Sequence, residues 1–199
     1  MSVSTANNAA ALPRSPGAQA YLALDFADSA YVVPGAKVID ELGTAESATH
    51  WLRERGLAPL DVTVGEQCVA QLWVLREHIR SLFAAHVDRQ PPLSSALSAV
   101  NEAMRRAATA PVLRWDETDG PYRAAVCPPE EILDRALARL AADAADLLTG
   151  EDAQLLTMCG SVPCNRYLIR RGRRHWCSTR CGDRVRAARA YARTKAETA

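Results

Sequence analysis

Four cysteines late in the chain carry the clearest chemistry. Cys159, Cys164, Cys177 and Cys181 read C-x4-C-x12-C-x3-C. Two close pairs separated by a longer loop are what a tetrahedral Zn2+ with four thiolates requires. Each pair supplies two ligands from one tight turn, and the loop swings the second pair across to the first. Gly160 and Pro163 suit a compact knuckle within the first pair. Gly172 lets the loop fold back, leaving Tyr167, Ile169 and Trp176 to pack over the metal. Four thiolates fill the coordination shell and leave no place for water, so this zinc is structural rather than catalytic. His175 is a competing donor, but four sulfurs suffice, and its imidazole is read as facing solvent or phosphate. Two disulfides or a redox switch are the alternatives for the same thiols. Disulfides need an oxidising compartment, for which the sequence carries no signal. A finger this short has little core, so metal binding supplies most of its folding free energy, on the order of 10 kcal/mol or more in zinc-finger peptides. On that basis replacing Cys177 with Ser should melt the finger and leave the rest folded.

Arginines crowd the same stretch. Arg166, Arg170, Arg171, Arg173 and Arg174 lie between the second and third ligands, and Arg180 lies between the last two. Arg184, Arg186, Arg189, Arg193 and Lys195 continue along a segment, Val185 to Lys195, of strong helix formers. Arg186, Arg189 and Arg193 fall on one helical face, with Val185, Ala188 and Ala192 to one side to pack on the finger. Cations this dense repel one another unless a polyanion receives them, and guanidinium forks suit phosphate oxygens and guanine edges. The candidate nucleic-acid contacts are Arg170, Arg171, Arg173, Arg174, Arg180, Arg184, Arg186, Arg189 and Arg193. A finger that docks a protein or RNA is the alternative.

Charge is split along the chain in the same sense. Residues 1–158 hold 13 basic and 21 acidic side chains, and residues 159–199 hold 11 basic and 2 acidic, so an acidic body precedes a basic end. That asymmetry suits one end meeting a polyanion. No apolar run approaches the ~20 residues that span a bilayer. Residues 1–20 are rich in Ala, Ser, Asn and Pro and lack a secretory pattern. They are expected to form a floppy arm, and the protein is expected in the cytoplasm with no membrane partner.

No other constellation rises to a catalytic proposal. The sequence has no Gly-rich phosphate loop, Ser-His-Asp signal or H-E-x-x-H, and no enzymatic activity is expected. Asp25 and Asp28 are read as turn or cap residues. His78 and His86 are too far apart to chelate together. His50 beside Trp51 is a surface residue, with a pocket role the lesser alternative. Cys68 and Cys127 are expected to be small buried hydrophobes.

The elements that must position the finger are mostly helical. Tyr21–Phe26 is a short apolar element, and a break at Pro34-Gly35 precedes a short helical piece over Lys37–Leu42. A helix follows over Glu46–Arg55. Thr63-Val-Gly-Glu66 has the form of a capping box, opening a helix to about Arg89 with Val69, Leu72, Trp73, Ile79 and Phe83 facing in. Ser94 caps the next, with Leu97, Val100 and Met104 inward. Residues 111–126 alternate in polarity around Asp119-Gly120, the signature of a β-hairpin. Pro128-Pro129-Glu130-Glu131 then opens a last body helix whose stripe is Ile132, Leu133, Leu137, Leu140, Ala144 and Leu147, ended by Gly150. The fold class is mainly α with a small β-hairpin. An arm over 1–20 and a helical domain over 21–157 lead to a treble-clef-like zinc finger with a basic helix over 158–195.

The segment HWCSTRCGDRVRAARAYARTK resembles the end of the CGNR zinc-finger family, in which a WCS motif leads to a Cys-Gly-Asn-Arg signature and a basic helix. YLALDF, THWLRERGL, and the hairpin followed by a helix resemble that family's partner, the ABATE domain. The resemblance covers residues 20–195. It implies a bacterial transcription regulator, often described as stress-induced, that binds DNA through its finger. It also implies Cys159, Cys164, Cys177 and Cys181 as ligands of one structural Zn2+, and Arg184 as the signature arginine. Asp183 departs from the signature Asn and sets a negative charge near the expected DNA face. The expected function is a zinc-dependent DNA-binding regulator whose helical body senses a small-molecule effector or forms a homodimer.

Overall fold

The computed structural model describes residues 12–35, 37–106, 112–124 and 131–197. Cys127, the opening Pro128-Pro129-Glu130 of the last body helix, and residues 1–11 of the expected arm lie outside them. Six helices and three two-stranded antiparallel sheets follow in the order α1 (Leu22–Ala27), β1 (Ala30–Val33), β2 (Lys37–Asp40), α2 (Ala45–Glu54), α3 (Glu66–Val87), α4 (Ser94–Arg106), β3 (Val112–Asp116), β4 (Gly120–Ala124), α5 (Ile132–Thr149), β5 (Leu156–Met158), β6 (Tyr167–Ile169) and α6 (Thr179–Glu197). A 3-10 turn over Glu151–Leu155 joins α5 to β5. The mainly helical class with small hairpins is as the sequence implied. No helix among the described residues is long and apolar enough to cross a membrane.

The body core forms where α3, α4 and α5 pack with α1. Leu72, Ile79, Phe83, Leu140, Leu147, Leu24 and Phe26 are fully buried there. The stripe of α5 is as expected, with Leu133 only partly covered. That of α4 is rotated: Ala96, Val100 and Ala103 face in, while Leu97 and Met104 are exposed. Close contact with the alanine-rich α5 selects small side chains at the interface, so size misled the sequence assignment. Trp73 also differs. It is 40% exposed at the rim of α3, with its indole N–H donating to the Leu42 carbonyl at 3.1 Å.

Lys37–Asp40 is a strand rather than the expected helical piece. It pairs in register with β1, from Ala30 opposite Asp40 to Val33 opposite Lys37. Pro34-Gly35 is the turn between two short β-branched runs, and buried Arg76 of α3 holds the strand's end through two 2.7 Å bonds to Asp40. The expected capping box at Thr63 does not form. Gly65 is the N-cap of α3 and offers no side chain, whereas α2 carries a reciprocal box between Thr44 and Ser47. The β3–β4 hairpin matches expectation, with the Asp116 carboxylate accepting from the Thr118 and Asp119 amides and Gly120 at φ 78°.

Residues 12–20 do not form a floppy arm. Ser15 and Ala18 are buried, the Pro16 carbonyl accepts from the Ile169 amide at 2.8 Å, and Gly17 lies so close to Ile169 that a Cβ would clash. This segment pins the β5–β6 hairpin to α1. At the junction sits Asp28, the C-cap of α1. Its carboxylate receives the Ser15 hydroxyl, the Tyr167 amide at 2.7 Å and, at 3.3 Å, the Arg166 guanidinium. Burial outweighs these partners and lifts its pKa to about 6.

A raised carboxyl pKa means the folded state holds a proton that the unfolded chain has released. Its stabilising contribution is present at low pH and lost as pH rises through 6. Between pH 5 and 7, where zinc thiolates persist, the stability of the wild type relative to Asp28→Asn is expected to fall by about 1 kcal/mol. Urea unfolding of both proteins across that range checks it; a difference that is flat or rises with pH contradicts the assignment.

Candidate metal centre and basic surface

The four candidate sulfurs converge. Cys159 follows β5 and Cys164 precedes β6, so one hairpin presents the first pair. The Cys159 amide donates to the Arg166 carbonyl at 2.8 Å and the Cys164 amide to the Ser161 carbonyl at 2.7 Å, closing the knuckle. Cys177 lies just ahead of α6 and Cys181 lies in its first turn. Ser178 caps that helix, its hydroxyl accepting from the Cys181 amide at 3.2 Å. Gly182 leaves room for the indole of Trp176, which a Cβ would meet at 3.2 Å. All four side chains are buried, and their sulfurs lie within 4.8 Å of one another, with Cys164–Cys177 at 3.7 Å and Cys177–Cys181 at 3.6 Å. A tetrahedron built on Zn–S bonds of ~2.3 Å has edges of roughly 3.8 Å. Disulfide sulfurs would stand ~2.05 Å apart, and none of the four is so bonded. The donor set fits one structural zinc.

Packed this closely, the thiols titrate against one another. Hydrogen bonds from Cys164 and Cys177 push Cys159 down to about 2. The bond to Cys159 pushes Cys164 up to about 12, and bonds to Cys159 and Cys164 raise Cys177 further. A dication removes that conflict, because a coordinating thiol is deprotonated outright. Two guanidinium groups complete the surroundings. Buried Arg166 lies 3.9 Å from the Cys177 sulfur through Nη1, and half-buried Arg184 donates to the Cys181 sulfur at 3.1 Å. Arg184 also donates to the Ser161 hydroxyl at 3.0 Å, which in turn donates to the Cys181 carbonyl. Such second-layer donors offset the excess negative charge of a four-thiolate zinc and orient its ligands.

The structure therefore divides the candidate nucleic-acid arginines. Arg184 turns inward to the sulfurs. Arg171 is paired with Asp152 at 2.7 Å, and Arg186 with Asp183 at 2.5 Å. Arg174 donates to the Trp176 carbonyl at 3.2 Å. Arg170, Arg173, Arg189 and Arg193 are exposed and make no ion pair among the described residues, and Arg180 is exposed on the first turn of α6. From Arg186 to Ala196 every residue of α6 is exposed, including Ala188 and Ala192, which the sequence placed against the finger. The helix leaves the finger after about two turns. Tyr191, at 73% exposure, marks how little covers it. His175 is exposed beside Trp176 and is no ligand.

Two signals escaped the sequence. Arg166 and Asp28 form the link between the sulfurs and the body; nothing in the spacing sets Arg166 apart from the neighbouring arginines, and Asp28, a helix cap as expected, carries this second task. Asp25, expected at a turn or cap, lies within α1, buried beneath Arg55 and Arg14. Cys68 is only partly buried against the core.

The finger does not stand apart from the body. Leu156, Tyr167 and Ile169 belong to the body's core cluster, whereas Leu168, with Trp176, packs against the sulfurs. Arg80 of α3 donates to the carbonyls of Ala27 and Asn165. Purified protein is expected to hold one zinc per chain by metal analysis. Cys177→Ser should lose that zinc and also lower the melting temperature of the helical body, by more than 5 °C, because the two share buried residues. Arg166→Met removes one partner of a buried pair and should cost about 3–5 kcal/mol. Calorimetry checks both; an unchanged body transition in Cys177→Ser would show the finger to be independent.

Residues 20–151 match the ABATE family, described as a "putative stress-induced transcription regulator", and residues 156–194 match the CGNR zinc finger. No curated protein sequence matches the chain. With the sulfur cluster falling inside the second match and the helical body filling the first, the chain belongs to the ABATE family and carries a structural-zinc CGNR finger.

Proposed function

We propose that this regulator binds duplex DNA through its finger, with the zinc centre as the rigid mount and α6 as the contacting element. The helical body senses an effector or pairs two copies, and the protein works as a binding protein rather than an enzyme, in a reducing cytoplasm that leaves its thiols to the metal. The observation that supports this most is α6 itself. Its exposed stretch from Arg186 to Ala196 is about 16 Å long and carries Arg186, Arg189 and Arg193 on one face. A bare helix matches the width of a B-DNA major groove, ~12 Å. An isolated helix of this composition gains little from packing here, so a partner surface is what orders its function. Asp183 does not face that surface as a lone negative charge, because Arg186 neutralises it at 2.5 Å.

Fluorescence anisotropy on duplex DNA over a salt series tests the reading. With about five phosphates contacted, log affinity should fall with log salt at a slope near −4.5. Arg189→Ala with Arg193→Ala should make the slope shallower by about 1.8 and leave zinc content and melting temperature unchanged. A wild-type slope near zero, or equal weakening on RNA and DNA, favours a protein- or RNA-docking finger.

A further inference from the structure

A second site lies in the body, on the far side of Arg166 from the sulfurs. A cavity of about 380 Å3 opens between α1, β2, α2 and the start of the chain's described part. Its size is that of a small-ligand pocket. Trp51 of α2 is part of its wall, 2% exposed, and its indole N–H is a buried donor with no acceptor among the described residues. A buried polar group without a partner costs free energy, of order 1–3 kcal/mol, and native chains keep few of them.

The charges of the wall are unbalanced in one direction. Arg55, itself buried and stacked 4.2 Å from the Trp51 ring, is shared among three carboxylates. It meets Asp25 at 2.8 Å and Glu54 at 2.9 Å, but reaches Glu41 only at 4.0 Å. Arg14 at 3.3 Å assists Asp25 alone, and Arg166 is committed to Asp28. Glu41 is thus the partly covered carboxylate that Arg55 pairs least closely, and burial lifts its pKa against the pull of Arg55 and Arg166. What the described wall leaves open is a closer cation partner for Glu41 than Arg55 at 4.0 Å and an acceptor for Trp51.

We infer that this cavity binds a compact organic ammonium carrying a hydrogen-bond acceptor or an aromatic body, held by Glu41 and Trp51, and that its occupancy is felt at the zinc centre through Arg166. The link is short. Arg166 lines the cavity, pairs with Asp28 at 3.3 Å and stands 3.9 Å from the Cys177 sulfur. A bound cation fills the space beside this guanidinium and restricts it to its Asp28 and Cys177 partners. The inference rests on the sensing half of the proposed function and not on DNA binding.

Three probes with one body and different charge separate the possibilities: phenethylamine, 2-phenylethanol and phenylacetate, added to the full zinc-loaded chain. Phenethylamine should shift the Trp51 indole N–H signal in proton–nitrogen NMR, assigned with Trp51→Phe, and bind at least ten-fold more tightly than the neutral or anionic probe. Glu41→Gln should weaken it about ten-fold while keeping the wild-type spectrum elsewhere, and Glu54→Gln should do so less. Saturating phenethylamine should slow zinc release to a chelator several-fold. Preference for phenylacetate, binding untouched by Glu41→Gln, or no shift with any probe overturns the site. Binding without a change in zinc release overturns the coupling. Because none of these readouts involves DNA, their failure leaves the salt-slope test of the finger standing, and the reverse holds.

Discussion

Four sulfur atoms held within 4.8 Å of one another are the constraint on which this molecule turns. As thiols they waste their best donors on each other, and as thiolates they repel, so the arrangement is consistent only around a cation. A four-thiolate zinc still carries about two excess negative charges. The chain answers with two guanidinium groups, Arg166 from the hairpin side and Arg184 from the helix side. Each of these arginines then has a second task. Arg184 locks the first turn of α6 to the knuckle through Ser161, and Arg166 ties the cluster to Asp28. The metal thus fixes both the direction in which α6 leaves and the seat of the hairpin on the body.

That seat is built like a domain interior rather than a linker. Tyr167 stacks edge-on against Phe83 at 5.6 Å and lies beneath Arg80, while Ile169 fills the space that Gly17 leaves. The Ile169 and Arg170 amides donate to the carbonyls of Pro16 and Leu155. A hairpin of three residues per strand cannot hold itself in water. It borrows a core from the body on one edge and a metal on the other. The family boundary between residues 151 and 156 is therefore a boundary of sequence pattern, with burial running straight across it.

The parts legible in the sequence were those with local signals. Cysteine spacing gave the ligand set, the Asp119-Gly120 turn gave its hairpin, and the apolar period gave α2, α3 and α5. The parts that were not legible depend on distant partners. Lys37–Asp40 is a strand because β1 and Arg76 lie beside it, and α4 turns its alanines inward because α5 is close. Asp28 and Arg166 sit 138 positions apart in sequence, and no spacing rule connects them. The one local signal that was overlooked is the AYVV-PGA-KVID pattern, whose β-branched runs around Pro-Gly spell a hairpin.

Arginine count alone overstates a nucleic-acid surface. The ten arginines from Arg166 to Arg193 look alike in sequence, yet folding gives them different work. Arg166 and Arg184 balance sulfur charge, Arg171 and Arg186 meet Asp152 and Asp183, and Arg174 closes a backbone turn. Among the described residues, the arginines exposed without an ion pair fall on the outer loop, at Arg170 and Arg173, and on the outer half of α6, at Arg189 and Arg193. The charge split along the sequence thus becomes a split in space, with most acidic side chains on the helical body and exposed guanidinium groups on the outer loop and along α6.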